Sequence, residues 1–134
     1  MRVHMAAPKI ILVIALAILL PSMASAAAPN WASRALAMEK AQDWQGLLDY
    51  SFQETEARPG NSLGWYFLGV AYENLGRFQE AVDVYLESVR LWPENEYAWY
   101  NLGTTYNRMG QYREAADAMG EAVRLKKAKK AKGR

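Results

Sequence analysis

The chain has 134 residues, of which 51% are hydrophobic and 22% are charged, with no cysteine, one histidine and a formal net charge of +2. This length predicts one globular domain. The lack of cysteine excludes disulfides, thiolate zinc sites and cysteine nucleophiles. His4 lies in a segment that we expect to be removed, so the mature protein has no imidazole for acid–base catalysis or metal binding. These exclusions favour a binding protein over an enzyme.

The N-terminus has the pattern of a secretory signal peptide. Arg2 and Lys9 form a basic leader, residues 10–20 are an unbroken apolar run, and Ala24 and Ala26 form a small-x-small cleavage site. The apolar run is shorter than the roughly 20 residues that span a bilayer. We therefore expect cleavage after Ala26 and a periplasmic or secreted protein. A retained membrane anchor is the alternative.

A 34-residue repeat organises the remaining chain. Residues 62–95 and 96–129 align without a gap, and a weaker copy covers residues 28–61. The matched pairs are Trp65 and Trp99, Leu68 and Leu102, Gly69 and Gly103, Tyr72 and Tyr106, Gly76 and Gly110, Phe78 and Tyr112, and Ala81 and Ala115. In the weaker copy, Arg34 and Gln42 replace the leucine and the second glycine, as is common in terminal repeats.

The spacing within the second copy predicts two helices joined by a turn. Apolar and small residues from Trp65 to Tyr72 recur at helical intervals. Gly76 suits the left-handed conformation that often ends a helix. A second amphipathic helix follows and ends before Pro93, and Asn95 can cap the N-terminus of the next helix.

The pattern W-x2-L-G-x2-Y, followed by G-x-[FY]-x2-A and a proline, resembles the tetratricopeptide repeat family. The resemblance implies an all-α fold of three stacked helix-turn-helix units in a short right-handed solenoid with a concave groove. The segments are a signal peptide (1–26), a degenerate first repeat (28–61), a second repeat (62–95), a third repeat (96–129) and a basic C-terminal tail (126–134).

Most of the aromatic side chains suit the core of such a fold. Trp31, Trp65, Trp99, Tyr72 and Tyr106 recur in register, so we expect them to pack between helices. No phosphate-binding loop, nucleophile-elbow or calcium-loop signature occurs in the sequence. We therefore predict no catalytic residue, cofactor or metal site.

In the tetratricopeptide family, ligands lie against the first helices of successive repeats. Carried over by position, the resemblance predicts a partner-binding groove formed by Leu63, Tyr66, Phe67, Val70, Tyr97, Tyr100, Asn101, Thr104, Asn107 and Arg108. The four aromatic residues in this set lie off the core register, so we expect one contiguous aromatic surface that binds a protein or peptide segment. Alternatively, some of these rings fill the seam between repeats.

The last nine positions contain Lys126, Lys127, Lys129, Lys130, Lys132 and Arg134, whereas the rest of the mature chain is acidic. An acidic body argues against nucleic-acid binding. We expect this segment to extend the last helix and cap the protein. Lys126, Lys127, Lys129 and Lys130 are also candidates for contact with anionic lipid headgroups.

Together these features predict a non-catalytic adaptor of the bacterial envelope that holds a protein segment in its groove. The alternative is a membrane-surface scaffold that uses the basic tail or a retained N-terminal anchor.

Overall fold

The structure is a computed structural model that describes residues 31–133, and the predicted signal peptide lies outside these residues. The helices are α1 (Trp31–Lys40), α2 (Trp44–Ala57), α3 (Ser62–Asn74), α4 (Phe78–Leu91), α5 (Glu96–Arg108) and α6 (Tyr112–Lys132). Residues 31–133 contain no strand. The predicted all-α fold of helix pairs is confirmed.

The chain divides into two units, residues 1–34 and 35–134. Only Trp31–Arg34 of the first unit is described, and these residues form the first turn of α1. In the second unit, successive helices from α2 to α6 pack against one another. None of the helices between residues 31 and 133 has the length and apolar character needed to cross a membrane.

Each turn inside a repeat contains a residue with positive φ. Gly76 and Gly110 have φ of +76° and +75°, as the sequence predicts, and Gln42 has φ of +56° one repeat earlier. This conformation is open to glycine but costs a residue with a Cβ roughly 1 kcal/mol. The first repeat therefore keeps the turn without its glycine.

Asparagine side chains begin the first helices of the second and third repeats. The Asn61 side-chain oxygen accepts a hydrogen bond from the Leu63 backbone N–H, and that of Asn95 accepts from Tyr97 and Ala98. These bonds satisfy backbone donors that have no partner within the helix. The predicted cap at Asn95 is confirmed.

Trp65 on α3 and Trp99 on α5 each contact the proline that lies just before their helix. Trp65 and Trp99 are only partly buried, which corrects the expectation that they lie in the core. Their indole N–H groups donate hydrogen bonds of 2.8 Å to the carbonyls of Pro59 and Pro93, respectively. The repeated Trp–Pro pairing therefore fixes the junction between repeats.

A buried carboxylate stabilises the turn between α2 and α3. The Glu54 side chain is only 3% exposed, and it accepts hydrogen bonds from the Arg58 guanidinium and the Asn61 amide. Burial acts to raise the pKa of Glu54, but these hydrogen bonds and the Arg58 charge outweigh it and hold that pKa below its usual value of 4.5.

Candidate functional site

The structure separates the ten predicted groove residues by their exposure. Tyr97, Tyr100, Asn107 and Arg108 are exposed, and Leu63, Tyr66, Asn101 and Thr104 are partly buried. Phe67 and Val70 are buried, with exposed fractions of 7% and 4%. The prediction that Phe67 and Val70 are available to a partner is therefore corrected, because both side chains belong to the core.

The burial of Phe67 also corrects the expectation of a single aromatic surface. Tyr66 meets the Phe67 ring edge-on at a centroid distance of 5.3 Å. Tyr97 and Tyr100 instead line a cleft against α6. The Arg108 guanidinium lies 5.7 Å from the centre of the Phe78 ring on α4, which is cation–π geometry.

A cluster of polar side chains, here called the polar cluster, connects α3, α4 and α5. It consists of Tyr66 and Glu73 on α3, Tyr85 on α4, and Asn101 and Thr104 on α5. The Asn101 amide nitrogen lies 3.4 Å from both the Tyr66 and the Tyr85 hydroxyl oxygens. Tyr85 donates to one Glu73 carboxylate oxygen at 3.1 Å, and the Thr104 hydroxyl lies 3.4 Å from the other.

Tyr85 reaches this cluster because Gly69 has no side chain. Tyr85 is completely buried between α3 and α4. A Cβ built at Gly69 would overlap the Tyr85 ring. Glycine at this position therefore lets the ring cross the helix pair and place its hydroxyl beside Glu73 and Asn101.

The third repeat does not repeat this arrangement. Gly103 corresponds to Gly69 and lies under the Met119 side chain, which occupies the place of Tyr85. The polar cluster is thus specific to the contact between the second and third repeats.

The tyrosines of the polar cluster are neutral at physiological pH. Burial and the nearby Glu39 carboxylate raise the pKa of Tyr66 to about 12, although the Asn101 hydrogen bond acts in the opposite direction. Burial and the Glu73 charge raise the pKa of Tyr85 well above its usual value of 10.0. Both hydroxyls therefore keep their protons; each accepts a hydrogen bond from the Asn101 amide, and that of Tyr85 also donates to Glu73.

Hydrogen bonds within α5 hold the backbone of Asn101 in place. The hydroxyls of Thr104 and Thr105 both donate to the Asn101 carbonyl, at 2.9 and 2.8 Å. The Asn101 side-chain nitrogen points to the two tyrosines, and within residues 31–133 its side-chain oxygen has no hydrogen-bond partner. This oxygen is an unused acceptor on a partly exposed face.

Sequence reasoning identified three members of this cluster, Tyr66, Asn101 and Thr104. It also placed Glu73 on the same face of the first helix, whereas Tyr85 followed the register of the second amphipathic helix and was not expected at the site. The missed signal is the pairing of Tyr85 with Gly69 on the facing helix. Because Gly69 has no side chain, the Tyr85 ring can extend past α3 and place its hydroxyl beside Glu73 and Asn101.

The part of the chain that the structure describes contains no group of three or more His, Asp or Glu residues that could hold a metal ion. The polar cluster has one carboxylate and neutral hydroxyl and amide groups. These groups can donate and accept hydrogen bonds.

Comparisons with known proteins agree with this architecture. The family model described as tetratricopeptide repeat matches residues 62–128. The MamA MSR-1 structure is similar at 28% identity and a TM-score of 0.66, over 71% of this chain and 55% of that one. The MamA AMB-1 structure gives 28% identity and a TM-score of 0.67, over 73% and 58%.

A further MamA structure, at 22% identity and a TM-score of 0.68 over 78% of this chain and 61% of that one, shares the fold. The chain thus spans a little over half the length of the MamA MSR-1 and MamA AMB-1 chains. No curated protein matches the sequence.

Proposed function

Because the chain belongs to the tetratricopeptide repeat family, we propose that it is a non-catalytic scaffold that binds a protein segment on the face of α3 and α5. We call this surface the first-helix face; it carries the polar cluster together with Leu63 and Asn107. The similarity of the fold to MamA supports a protein–protein interaction scaffold.

The observation that carries the proposal is the fixed position of Asn101. Its side-chain nitrogen is held by two tyrosine hydroxyls and its backbone carbonyl by two threonine hydroxyls. The unused side-chain oxygen can accept a backbone N–H from an extended segment without reorganising the site. Preorganised groups of this kind strengthen binding because little conformational freedom is lost.

The charges around this face favour a basic partner segment. Glu39 and Glu73 both act on the Tyr66 hydroxyl, so both carboxylates lie near it. The Arg108 guanidinium is positioned over the Phe78 ring, near the far end of the face. A segment with lysine or arginine beside apolar residues complements this arrangement.

The location in the bacterial envelope is part of the proposal and is supported by the leader pattern before residue 27. The alternative function, a membrane-surface scaffold, is supported by the exposed lysines Lys126, Lys127, Lys129 and Lys130 on α6. N-terminal sequencing of the protein from envelope fractions tests the location. Co-sedimentation with anionic vesicles tests the alternative, and an undetectable interaction at low salt overturns it.

Selection from a displayed peptide library tests the first-helix face. We expect enriched peptides to be basic and extended, and their affinity to fall about tenfold or more in Asn101→Ala, because the acceptor and its two tyrosine contacts are lost. Gln111→Ala is the matched control, since Gln111 is an exposed amide side chain outside α3 and α5. Equal affinity for wild type and Asn101→Ala would show that partners bind elsewhere.

A further inference from the structure

The outer side of α5 and α6 is exposed where the equivalent side of the preceding repeat is covered. Val89 on α4 is 5% exposed, whereas Val123, one repeat later on α6, is 51% exposed. Tyr66 is partly buried, whereas its counterpart Tyr100 is 56% exposed. In the second repeat, α5 packs on α4 and covers this surface. No helix within residues 31–133 covers the corresponding surface of α6.

This uncovered surface, here called the end face, forms a cleft of about 370 Å³ lined by Glu96, Tyr97, Tyr100, Ala122, Val123 and Lys126. Tyr97 and Tyr100 form one wall, and Ala122 and Val123 the other. A second cleft of about 380 Å³ shares Glu96 and Tyr97, but it is also lined by Trp92, Glu94 and Asn95 of the turn between α4 and α5 and is not part of the end face. Because α5, a helix of 13 residues, covers the equivalent surface of α4, the end face has the size to hold a helix of about three turns.

The rim of the end face is basic. Lys126 lines the cleft, and Lys127 and Lys130 lie four and seven positions after Val123, on the same side of α6. Arg124 pairs with Glu121 on its own helix, and Lys129 reaches Glu96 at 4.0 Å. Lys126, Lys127 and Lys130 have no ion-pair partner between residues 31 and 133. A helix that binds here contacts the apolar side chains of the cleft and lies beside lysines that have no ion-pair partner.

The residues that follow the third repeat do not fill the end face in the way that α5 covers α4. By the 34-residue register, a fourth first helix begins 34 positions after Glu96, at Lys130. Instead α6 continues without a break through Lys132, and Lys127 stands where the second repeat has Pro93. A fourth first helix would need a turn near Lys127, but the backbone there is helical.

A second copy of the chain is also a poor occupant. The first helix of a copy carries Ser33 and Arg34 where α3 carries the buried Phe67 and Leu68, so it lacks the apolar face that packs on a preceding repeat. Two end faces placed together oppose the lysines of two α6 helices, and like charges repel.

We propose that the end face binds an acidic amphipathic helix of a partner protein, with its apolar side on Tyr97, Tyr100 and Val123 and its carboxylates beside Lys126 and Lys130. This contact is separate from the first-helix face, because it uses the outer side of α5 and α6. The protein then holds two partners at once, a basic segment on the polar cluster and an acidic helix at the end of the stack.

The test uses the full chain and a synthetic helical peptide of three to four turns, with a leucine and alanine stripe flanked by glutamates. We expect saturable binding in a fluorescence-polarisation titration at low salt, weakened several-fold by added salt. Val123→Asp weakens binding about tenfold or more because it places a carboxylate in the apolar floor, and Lys126→Glu weakens it several-fold. Both positions are exposed, so both variants are expected to melt like the wild type.

Two control variants separate this contact from other surfaces. Leu86→Asp changes an aliphatic residue on α4 that is similarly exposed, at 42%, and Asn101→Ala alters the polar cluster. Both retain peptide affinity within about twofold. Loss of library-peptide binding in Asn101→Ala with retained acidic-helix binding keeps the two proposals distinguishable.

Three results overturn the proposal: no binding of the acidic peptide, equal binding of a matched peptide with lysines in place of the glutamates, or undiminished binding to Val123→Asp. Sedimentation velocity of the wild-type chain tests a second copy as occupant. Self-association that Val123→Asp abolishes assigns the end face to a second copy and also overturns the proposal.

Discussion

Gly69 on α3 and Tyr85 on α4 lie so close that a single carbon added to the glycine would overlap the tyrosine ring. The ring passes between the two helices at this point, and its hydroxyl joins the polar cluster on the first-helix face. The packing of the second repeat and the geometry of the candidate site therefore depend on the same contact.

Gly69→Ala is expected to destabilise the protein by about 1–3 kcal/mol, because the added methyl displaces a buried ring. Gly120→Ala is the matched control: it also lies within a helix, but a methyl group added there would meet no atom of the described residues within 4 Å. It should stabilise the protein by about 0.5–1 kcal/mol, as glycine is a poor helix residue. Chemical denaturation measures both changes, and a Gly69→Ala variant as stable as Gly120→Ala would contradict the close packing.

Tyr85→Phe removes the hydroxyl that bonds to Glu73 but keeps the ring. We expect a loss of about 1 kcal/mol, within the usual range for a hydrogen bond whose acceptor can regain water. Tyr72→Phe, at a partly buried tyrosine outside the polar cluster, should change stability by less than about 0.5 kcal/mol. A double-mutant cycle with Glu73→Ala, which removes the acceptor, measures the coupling, and a coupling near zero would show that the two side chains do not interact.

The phenol of Tyr66 should ionise late in an alkaline titration. Burial and Glu39 raise its pKa from 10.0 to about 12, so the folded state holds the proton more tightly than the unfolded chain. This contribution to stability is fully present below pH 10 and is lost as the pH rises toward 12. The phenolate absorbance of Tyr66→Phe should differ from that of wild type by a component centred near pH 12. Tyr112→Phe, at an exposed position, should leave that component in place.

Acid should destabilise the protein partly through Glu54. Because its pKa is lowered in the folded state, the stabilisation is present above the usual value of 4.5 and is lost as the pH falls through the folded value. Glu54→Gln should therefore show a weaker fall in unfolding free energy below pH 4.5 than the wild type. Glu56→Gln, at the exposed neighbour, is the control. Identical acid profiles for Glu54→Gln and wild type would exclude the contribution.

Trp65→Phe and Trp99→Phe should each cost about 1 kcal/mol, because each loses one indole hydrogen bond and part of a half-buried ring. Leu102→Ala, at a residue only 1% exposed, should cost more, about 2–5 kcal/mol. Thermal and chemical denaturation of the three variants compare these values. A tryptophan variant that loses as much unfolding free energy as Leu102→Ala would show that this tryptophan belongs to the core.

The local structure of this protein could be predicted from its sequence because its causes lie within a few residues. Gly76 ends α3 in the left-handed conformation, and Asn95 caps α5 with its own side chain. The 34-residue period places the helix pairs of the second and third repeats because each position has a counterpart with the same neighbours along the chain.

Burial depends on contacts between helices that are distant along the chain. Spacing places Tyr66 and Phe67 together off the core register, yet Phe67 is buried while Tyr66 reaches a partly exposed face, since neighbouring helices cover one side chain more than the other. Val89 and Val123 share one register position and differ because α5 packs on α4 while no described helix packs on the outer side of α6. Short-range hydrogen bonds and backbone preferences, which are local to each turn, set where the helices begin and end. The packing of distant segments sets which side chains can reach a partner.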